Sequence, residues 1–219
     1  MEKPDPILCV LAGGEGRRFG KPKGHATVRG EPAITWLIHR LGRAGGWRWR
    51  PWVSLAPHAA APPAAGVAQR WVNDPLPAHG PLWGMAAVLR AARAVDRVLF
   101  LAVDMPLIDE PLLIELIAAM RRSPAAAGVM GRWGDGPRAG CAEPWPSLWR
   151  VGPALGLVEH ALARGETGPA RLMDRPGVAA LPLCSAHHRR AYAGFNSPGE
   201  HDVIEALLAG GPSPTRCPS

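Results

Sequence analysis

Apolar residues in this chain fall in short runs broken by glycine, proline and charge, and strand-like and helix-like spacings alternate along it. Ile7 to Ala12 is an aliphatic, partly β-branched run of strand length. Thr27-Val28 is a short extended piece before a turn at Gly30-Glu31-Pro32. Ala33 to Arg43 puts Ile34, Leu37, Ile38 and Leu41 on one helical face, and Gly45-Gly46 ends it. Trp52 to Ala56 and Gln69 to Asn73 read as strands, with an Ala- and Pro-rich loop over 57–66 between them. Asp74 to Gly84 holds prolines and glycines enough for a loop of fixed shape, and Met85 to Ala94 reads as a helix. Val98 to Val103 is apolar throughout, as expected of a central parallel strand covered on both faces. Glu110 to Arg122 carries Leu113, Leu116, Ile117 and Met120 at helical spacing. Ala125 to Met130, Arg138 to Glu143, Val178 to Cys184 and Arg190 to Phe195 read as strands, and Pro153 to Arg164 and Pro169 to Asp174 as helices. Asn196-Ser197-Pro198 opens a last helix ending near Ala209, since Asn suits a helix boundary and Pro its first turn.

This alternation predicts an α/β fold, a doubly wound, mostly parallel sheet with helices on both faces, Rossmann-like in outline. The 219 residues suit one domain, placed at 1–209, with 210–219 as a tail. Ligands of such sheets bind outside the carboxyl ends of the strands. The loop Gly13 to Lys23, Asp74 and Asp104 all fall at such ends.

The loop after the first strand is the most informative stretch. It reads Leu11-Ala12-Gly13-Gly14-Glu15-Gly16-Arg17-Arg18-Phe19-Gly20-Lys21-Pro22-Lys23. Bare main-chain amides and several cations at a strand end suit a polyphosphate. It is not a P-loop, because that spacing puts Glu15 where glycine is needed and Pro22 where Ser or Thr is needed. Nor is it a dinucleotide fingerprint, whose sixth position would be Phe19. The pattern Leu-Ala-Gly-Gly-x-Gly-x-Arg-x-Gly-x-x-Lys instead resembles the signature of nucleotidyltransferases that activate sugars and cofactors with a nucleoside triphosphate.

Transfer of a nucleotidyl group needs cations on the β and γ phosphates, for which Arg18 and Lys23 are placed. It needs a carboxylate for Mg²⁺, which prefers oxygen ligands; Asp104, ending the central strand, is the first choice. An acceptor that is itself a phosphate is already ionised and needs no strong base, leaving positioning and electrostatics as the catalytic work. The competing assignments are structural: Lys23 as a solvated loop residue, Asp104 as a turn cap before Pro106, and Asp74 as an Asx-turn residue before Pro75. His79 is read as shaping its loop, and His187-His188-Arg189-Arg190 as a solvated basic turn.

Composition adds exclusions. A hydrophobic share of 47% is enough for a core without metals or disulfides. The four cysteines include no Cys-x-x-Cys pair, and Cys9 reads as a buried thiol in the first strand. No apolar run reaches membrane-spanning length and the start is not a signal peptide, so a cytoplasmic protein is expected. The net charge of +7 fits nucleic acid or a polyphosphate equally. The run Trp47-Arg48-Trp49-Arg50-Pro51-Trp52 could stack bases, but reads better as tryptophans capping a core edge.

With these residues in place, the chain is similar to the molybdenum cofactor guanylyltransferases, from the first strand to Pro198. The loop Leu11 to Lys23, Gly80-Pro81-Leu82-Trp83-Gly84, Asp104-Met105-Pro106 and Asn196-Ser197-Pro198 carry the resemblance, with Glu143 to Arg150 as a further similar segment. It implies transfer of GMP from GTP to the terminal phosphate of Mo-molybdopterin. Nucleotide contacts would fall on Leu11, Ala12, Gly13, Gly14, Lys23, Asp74, Gly80, Gly84 and Asp104. Mg²⁺ would sit on Asp104, and Asn196 would face the pterin. The implied partners are GTP, Mo-molybdopterin, other cofactor-biosynthesis proteins and recipient molybdoenzymes; neither membrane nor nucleic acid is expected. Two positions depart from the family pattern. Gly194 stands where Asn is frequent, which bears on pterin recognition, and Ala56 stands near another frequent Asn, which bears on a sugar or base contact. Two alternatives stay open: a relative using CTP or another small phosphate acceptor, and a non-catalytic nucleotide- or RNA-binding module.

Overall fold

The computed structural model describes residues 5–14, 18–20, 22–56, 66–73 and 80–210. Strand β1 (Ile7–Leu11) leads through two short strands, β2 (Thr27–Val28) and β3 (Glu31–Pro32), into helix α1 (Ala33–Leu41). Next come β4 (Arg50–Leu55), β5 (Arg70–Asn73), α2 (Pro81–Ala91), β6 (Arg97–Ala102) and α3 (Glu110–Arg122). The remainder is β7 (Gly128–Trp133), β8 (Ala142–Arg150), α4 (Val151–Ala163), β9 (Val178–Leu183), α5 (Ala186–Ala191) and α6 (Pro198–Leu208).

Seven strands form one sheet in the order β5-β4-β1-β6-β8-β7-β9. β1 pairs in parallel with β4 on one side and β6 on the other, and β5 extends the parallel part. The chain thus starts in the middle, moves outward, and returns to β6 across β1. That reversal opens a crevice at the carboxyl ends of β1 and β6, the binding place in doubly wound sheets. β8 runs antiparallel to β6 and β7, and β9 lies parallel to β7. Ile7 to Val10 and Val98 to Leu101 are buried, because both sheet faces are covered. α2 and α4 pack together on one face. On the other, α1 holds the segment entering α3, where Trp36 Nε1 donates to the Pro106 carbonyl and Arg40 Nε to that of Ile108, both at 3.0 Å. Trp49 and Trp52 are each 3% exposed, so the tryptophan run does close the core edge.

Three element assignments are corrected. α2 begins at Pro81, four residues before the expected start, because proline needs no N–H partner at the first helical turn. The strand expected at Arg138 to Glu143 is instead a 3₁₀ turn, Gly136–Arg138, followed by β8 through Pro144 and Pro146. Proline removes a ladder donor. Here both prolines escape that cost: pairing with β6 stops at Ser147, and the register with β7 shifts between Val129 and Gly131. The strand expected at Arg190 to Phe195 is corrected to helix α5 and its exit. α5 starts on a reciprocal cap in which Ser185 Oγ accepts from the His188 N–H at 3.0 Å and His188 Nδ1 accepts from the Ser185 N–H at 3.3 Å. A histidine in that role is not a familiar start signal. The basic turn expected here is therefore helical, with His188 buried and both arginines exposed.

Candidate active site

The crevice is lined first by main chain. The Val103 N–H donates to the Leu11 carbonyl at 3.2 Å, and the Ala12 N–H donates to the Ser54 carbonyl at 2.8 Å. The chain leaving β1 is therefore clamped between the ends of β4 and β6. A Cβ on Gly13 would lie 2.9 Å from the Ala56 nitrogen, so any side chain there would push β4 away. Among the described residues Gly14 has nothing within 4 Å of where a side chain would start.

Lys23 begins a short 3₁₀ turn beyond the loop. Its ammonium forms an ion pair with the Asp104 carboxylate and donates to Asn196 Oδ1 at 2.7 Å. The Lys23 and Asp104 side chains are 16% and 20% exposed, shielded from bulk water yet reachable by a ligand. The pair is thus stronger than a surface bridge of the same length. Lysine has three N–H donors. Among the described residues two are engaged, by Asp104 and Asn196.

Asp104 is fixed from behind. The Phe195 N–H donates to the Asp104 carbonyl at 3.0 Å. A Cβ on Gly194 would stand 2.7 Å from that same oxygen, so a side chain does not fit this backbone approach. Asn196 in turn donates its N–H to Glu200 Oε2 at 2.5 Å, and Ser197 and Glu200 cap α6 reciprocally. Phe19 packs its ring 5.1 Å from that of Phe195 and 5.7 Å from that of His201, stapling the glycine loop to α6.

Lys23, Asp104 and Asn196, far apart in sequence, therefore meet at the ends of β1 and β6, beside Leu11, Ala12 and Gly13. Arg18 lies exposed in the turn before Gly20. Gly80, at φ +91°, backs onto the Thr167 carbonyl and starts α2; buried Gly84 lies one turn further in. No described contact joins either glycine to the lysine–aspartate pair. Asp74 and His79 lie outside the described residues, as do Glu15 to Arg17 and Lys21. Sequence reasoning missed Phe19, Phe195 and Glu200; the Ser197-Pro198-Gly199-Glu200 spacing was a readable cap signal.

Asp104 offers the hard oxygen donor that Mg²⁺ takes, alongside phosphate oxygens. A different group, Glu115, His187 and His188, brings ligand atoms within 4.8 Å of one another. Its His188 Nδ1 already accepts from the Cys184 and Ser185 N–H groups at 3.1 and 3.3 Å. The ring proton is then on Nε2, facing Glu115 at 2.9 Å, and no lone pair is left for a metal. This group is a clasp between α3 and α5. A cavity of about 270 Å³ lined by Phe19, Thr27, Pro198, His201 and Asp202 adjoins the site at the start of α6. Cys9 is fully buried, which pushes its thiol far above the ordinary range and leaves it inert.

The model of the MobA-like NTP transferase domain matches residues 8–190. The chain is 33% identical to a molybdenum cofactor guanylyltransferase of Cereibacter sphaeroides, over 91% of this chain and 95% of that one. It is 34% identical to one from Pseudomonas fluorescens, over 88% and 92% respectively. Among solved structures, molybdopterin-guanine dinucleotide biosynthesis protein A of Archaeoglobus fulgidus superposes with a TM-score of 0.69 at 17% identity, covering 93% of this chain and 99% of that one. The 2-C-methyl-D-erythritol 4-phosphate cytidylyltransferase of Thermus thermophilus gives 0.64 at 18%, covering 92% and 98%. These two likenesses show the fold, a mostly parallel sheet of nucleotidyltransferase type.

Proposed function

This chain belongs to the MobA-like NTP transferase family and is a nucleotidyltransferase, and we propose that it transfers GMP from GTP to the terminal phosphate of Mo-molybdopterin. The observation that carries the proposal is the Lys23–Asp104 pair at the switch point of the sheet, where the Val103 N–H donates to the Leu11 carbonyl at the start of the glycine loop. An oxygen of the pterin phosphate attacks the α-phosphorus of GTP. The bond from that phosphorus to the bridging oxygen breaks, and its electron pair leaves with pyrophosphate.

The chain's own groups do the positioning. Leu11 to Gly14 present main chain to the nucleotide, held in shape by the clamp between β4 and β6. Lys23 exchanges one contact with Asp104 for a phosphate oxygen, and Arg18 closes on the pyrophosphate end. Asp104 would hold Mg²⁺, which takes carboxylate and phosphate oxygens. When bound, that ion neutralises charge on the α-phosphate and on the leaving group. Asp74, Gly80 and Gly84 complete the nucleoside side. The guanylyltransferase activity of the relatives and the Gly80-Pro81-Leu82-Trp83-Gly84 loop support guanine over cytosine. Among the described residues no helix is long and apolar enough to cross a membrane, and we place the reaction in the cytoplasm.

The test is pyrophosphate release from each of the four nucleoside triphosphates, with and without Mo-molybdopterin and Mg²⁺. Release is expected from GTP alone, and only when both are present. Equal release from CTP overturns the guanine assignment, and release that ignores the acceptor overturns the transfer.

A further inference from the structure

We infer that Asn196 is a positioning residue for the nucleotide, acting through Lys23 rather than through the pterin. The inference rests on the proposed function for the identity of the phosphate ligand. Its basis is the contact of Asn196 Oδ1 with Lys23 Nζ at 2.7 Å. That contact points the amide oxygen at the Lys23 ammonium, which reaches it from the turn beyond the glycine loop.

Lysine is a point charge on a flexible stem and is a poor ligand for phosphate until something holds it. Asn196 is well suited to hold it. Its own N–H is fixed on Glu200 Oε2 at 2.5 Å, and Glu200 also accepts from the Ser197 N–H at 3.0 Å. The preceding residue, Phe195, is fully buried and donates its N–H to the Asp104 carbonyl. The amide is thus the tip of a braced helix start, anchored to the same strand end that supplies the carboxylate.

The chemistry of the two partners differs in a useful way. Asp104 is charged, and a divalent cation competes with Lys23 for it. Asn196 is neutral and offers a single carbonyl oxygen, a weak ligand beside a carboxylate. Once the cation takes Asp104, Asn196 remains to hold the ammonium in the crevice without cancelling its charge. Gly194 allows this arrangement, because a side chain there would collide with the Asp104 carbonyl.

The test is GTP binding by calorimetry, with Mg²⁺ and without acceptor, on the full chain. Asn196→Ala is expected to weaken GTP about tenfold, the range for a hydrogen bond to a charged group. In a Lys23→Ala background the same change should add less than about twofold, because the partner is already gone. The KM for Mo-molybdopterin should move less than about threefold. Thermal melting checks the fold, and Asn196→Ser, which keeps a polar residue before α6, takes the place of the alanine variant if that does not fold. Wild-type GTP affinity in the Asn196 variant, with a KM for Mo-molybdopterin raised tenfold, would overturn the inference while leaving the proposed reaction intact. So would losses that simply add in the double variant. Absence of GTP binding by the wild type would overturn the guanylyl reading and this inference with it.

Discussion

The two halves of the sheet are built on different principles. The half from β5 to β6 is wholly parallel, and its strands end in glycine, aspartate and lysine-bearing loops. The half from β8 to β9 is reversed at β8 and packs Trp133, Trp145 and Trp149 among its strands. Trp149 is 1% exposed and donates Nε1 to Ser147 Oγ at 2.8 Å; Trp133 donates to Glu143 Oε1 at 2.9 Å and packs its ring on Tyr192; Trp145 packs on Phe100. A Cβ on Gly128 would land on the Trp149 ring. In the parallel half, Gly13 lets the chain leaving β1 lie against the end of β4, whereas in the antiparallel half Gly128 makes room for an indole. The comparison teaches that one residue type serves chemistry on one side and packing on the other, and substitutions should separate the two.

The largest effect is expected at the parallel edge. Asp104→Asn should lower kcat about a thousandfold, as loss of a charge-stabilising group does, with the melting temperature nearly kept. Lys23→Ala should cost about a hundredfold in kcat/KM for GTP, again with the fold intact by circular dichroism. Gly128→Ala should do the opposite. Overpacking against Trp149 is expected to cost about 2 kcal/mol, lowering the melting temperature by about 6 °C in a chain of this size. Activity per folded molecule should stay within about twofold. A Gly128 variant that folded well but lost turnover would break the division between the halves.

Much of the parallel half was legible in the chain. Ile7 to Leu11 and Arg97 to Ala102 lie within a residue of the expected strands, because a strand covered on both faces must be apolar at every position. The glycine loop and Asp104 were readable for a related reason: their positions follow from where those strands stop. The antiparallel half was legible only in part: β9 lies within a residue of the expected strand and β7 overlaps its own, whereas β8 was missed over most of its length. Pro144 and Pro146 argue against a strand in any local reading, and only the missing ladder partners make them acceptable. The α5 cap uses His188 where glutamate or glutamine is usual. The third member of the site was partly hidden too. Asn196 was marked as a pterin contact by resemblance, but its hold on Lys23 spans a sequence separation of 173 and depends on the fold between them.

The smallest expected effect also divides the halves. Burial raises the Cys9 thiol above its ordinary value of 9.0 and the Tyr192 phenol above 10.0, the latter with help from the Glu115 charge. Both groups then keep their protons in the folded chain while the unfolded chain releases them. Their contribution is complete below those ordinary values and falls as pH rises past them, by up to about 1.4 kcal/mol per pH unit for each group. The wild-type melting temperature should begin to fall near pH 9. Cys9→Ala, in the parallel half, should delay that decline toward pH 10, where Tyr192 in the antiparallel half takes over.

The central claim is that a lysine-held carboxylate at the end of β6 serves nucleotidyl transfer. It is tested most directly by following GTP labelled at the α-phosphate, with Mg²⁺ and Mo-molybdopterin, for wild type and Asp104→Asn side by side. The account predicts label in a guanine dinucleotide of the pterin for the wild type and almost none for the folded variant. Equal labelling by both, or no labelled dinucleotide from the wild type, would contradict it.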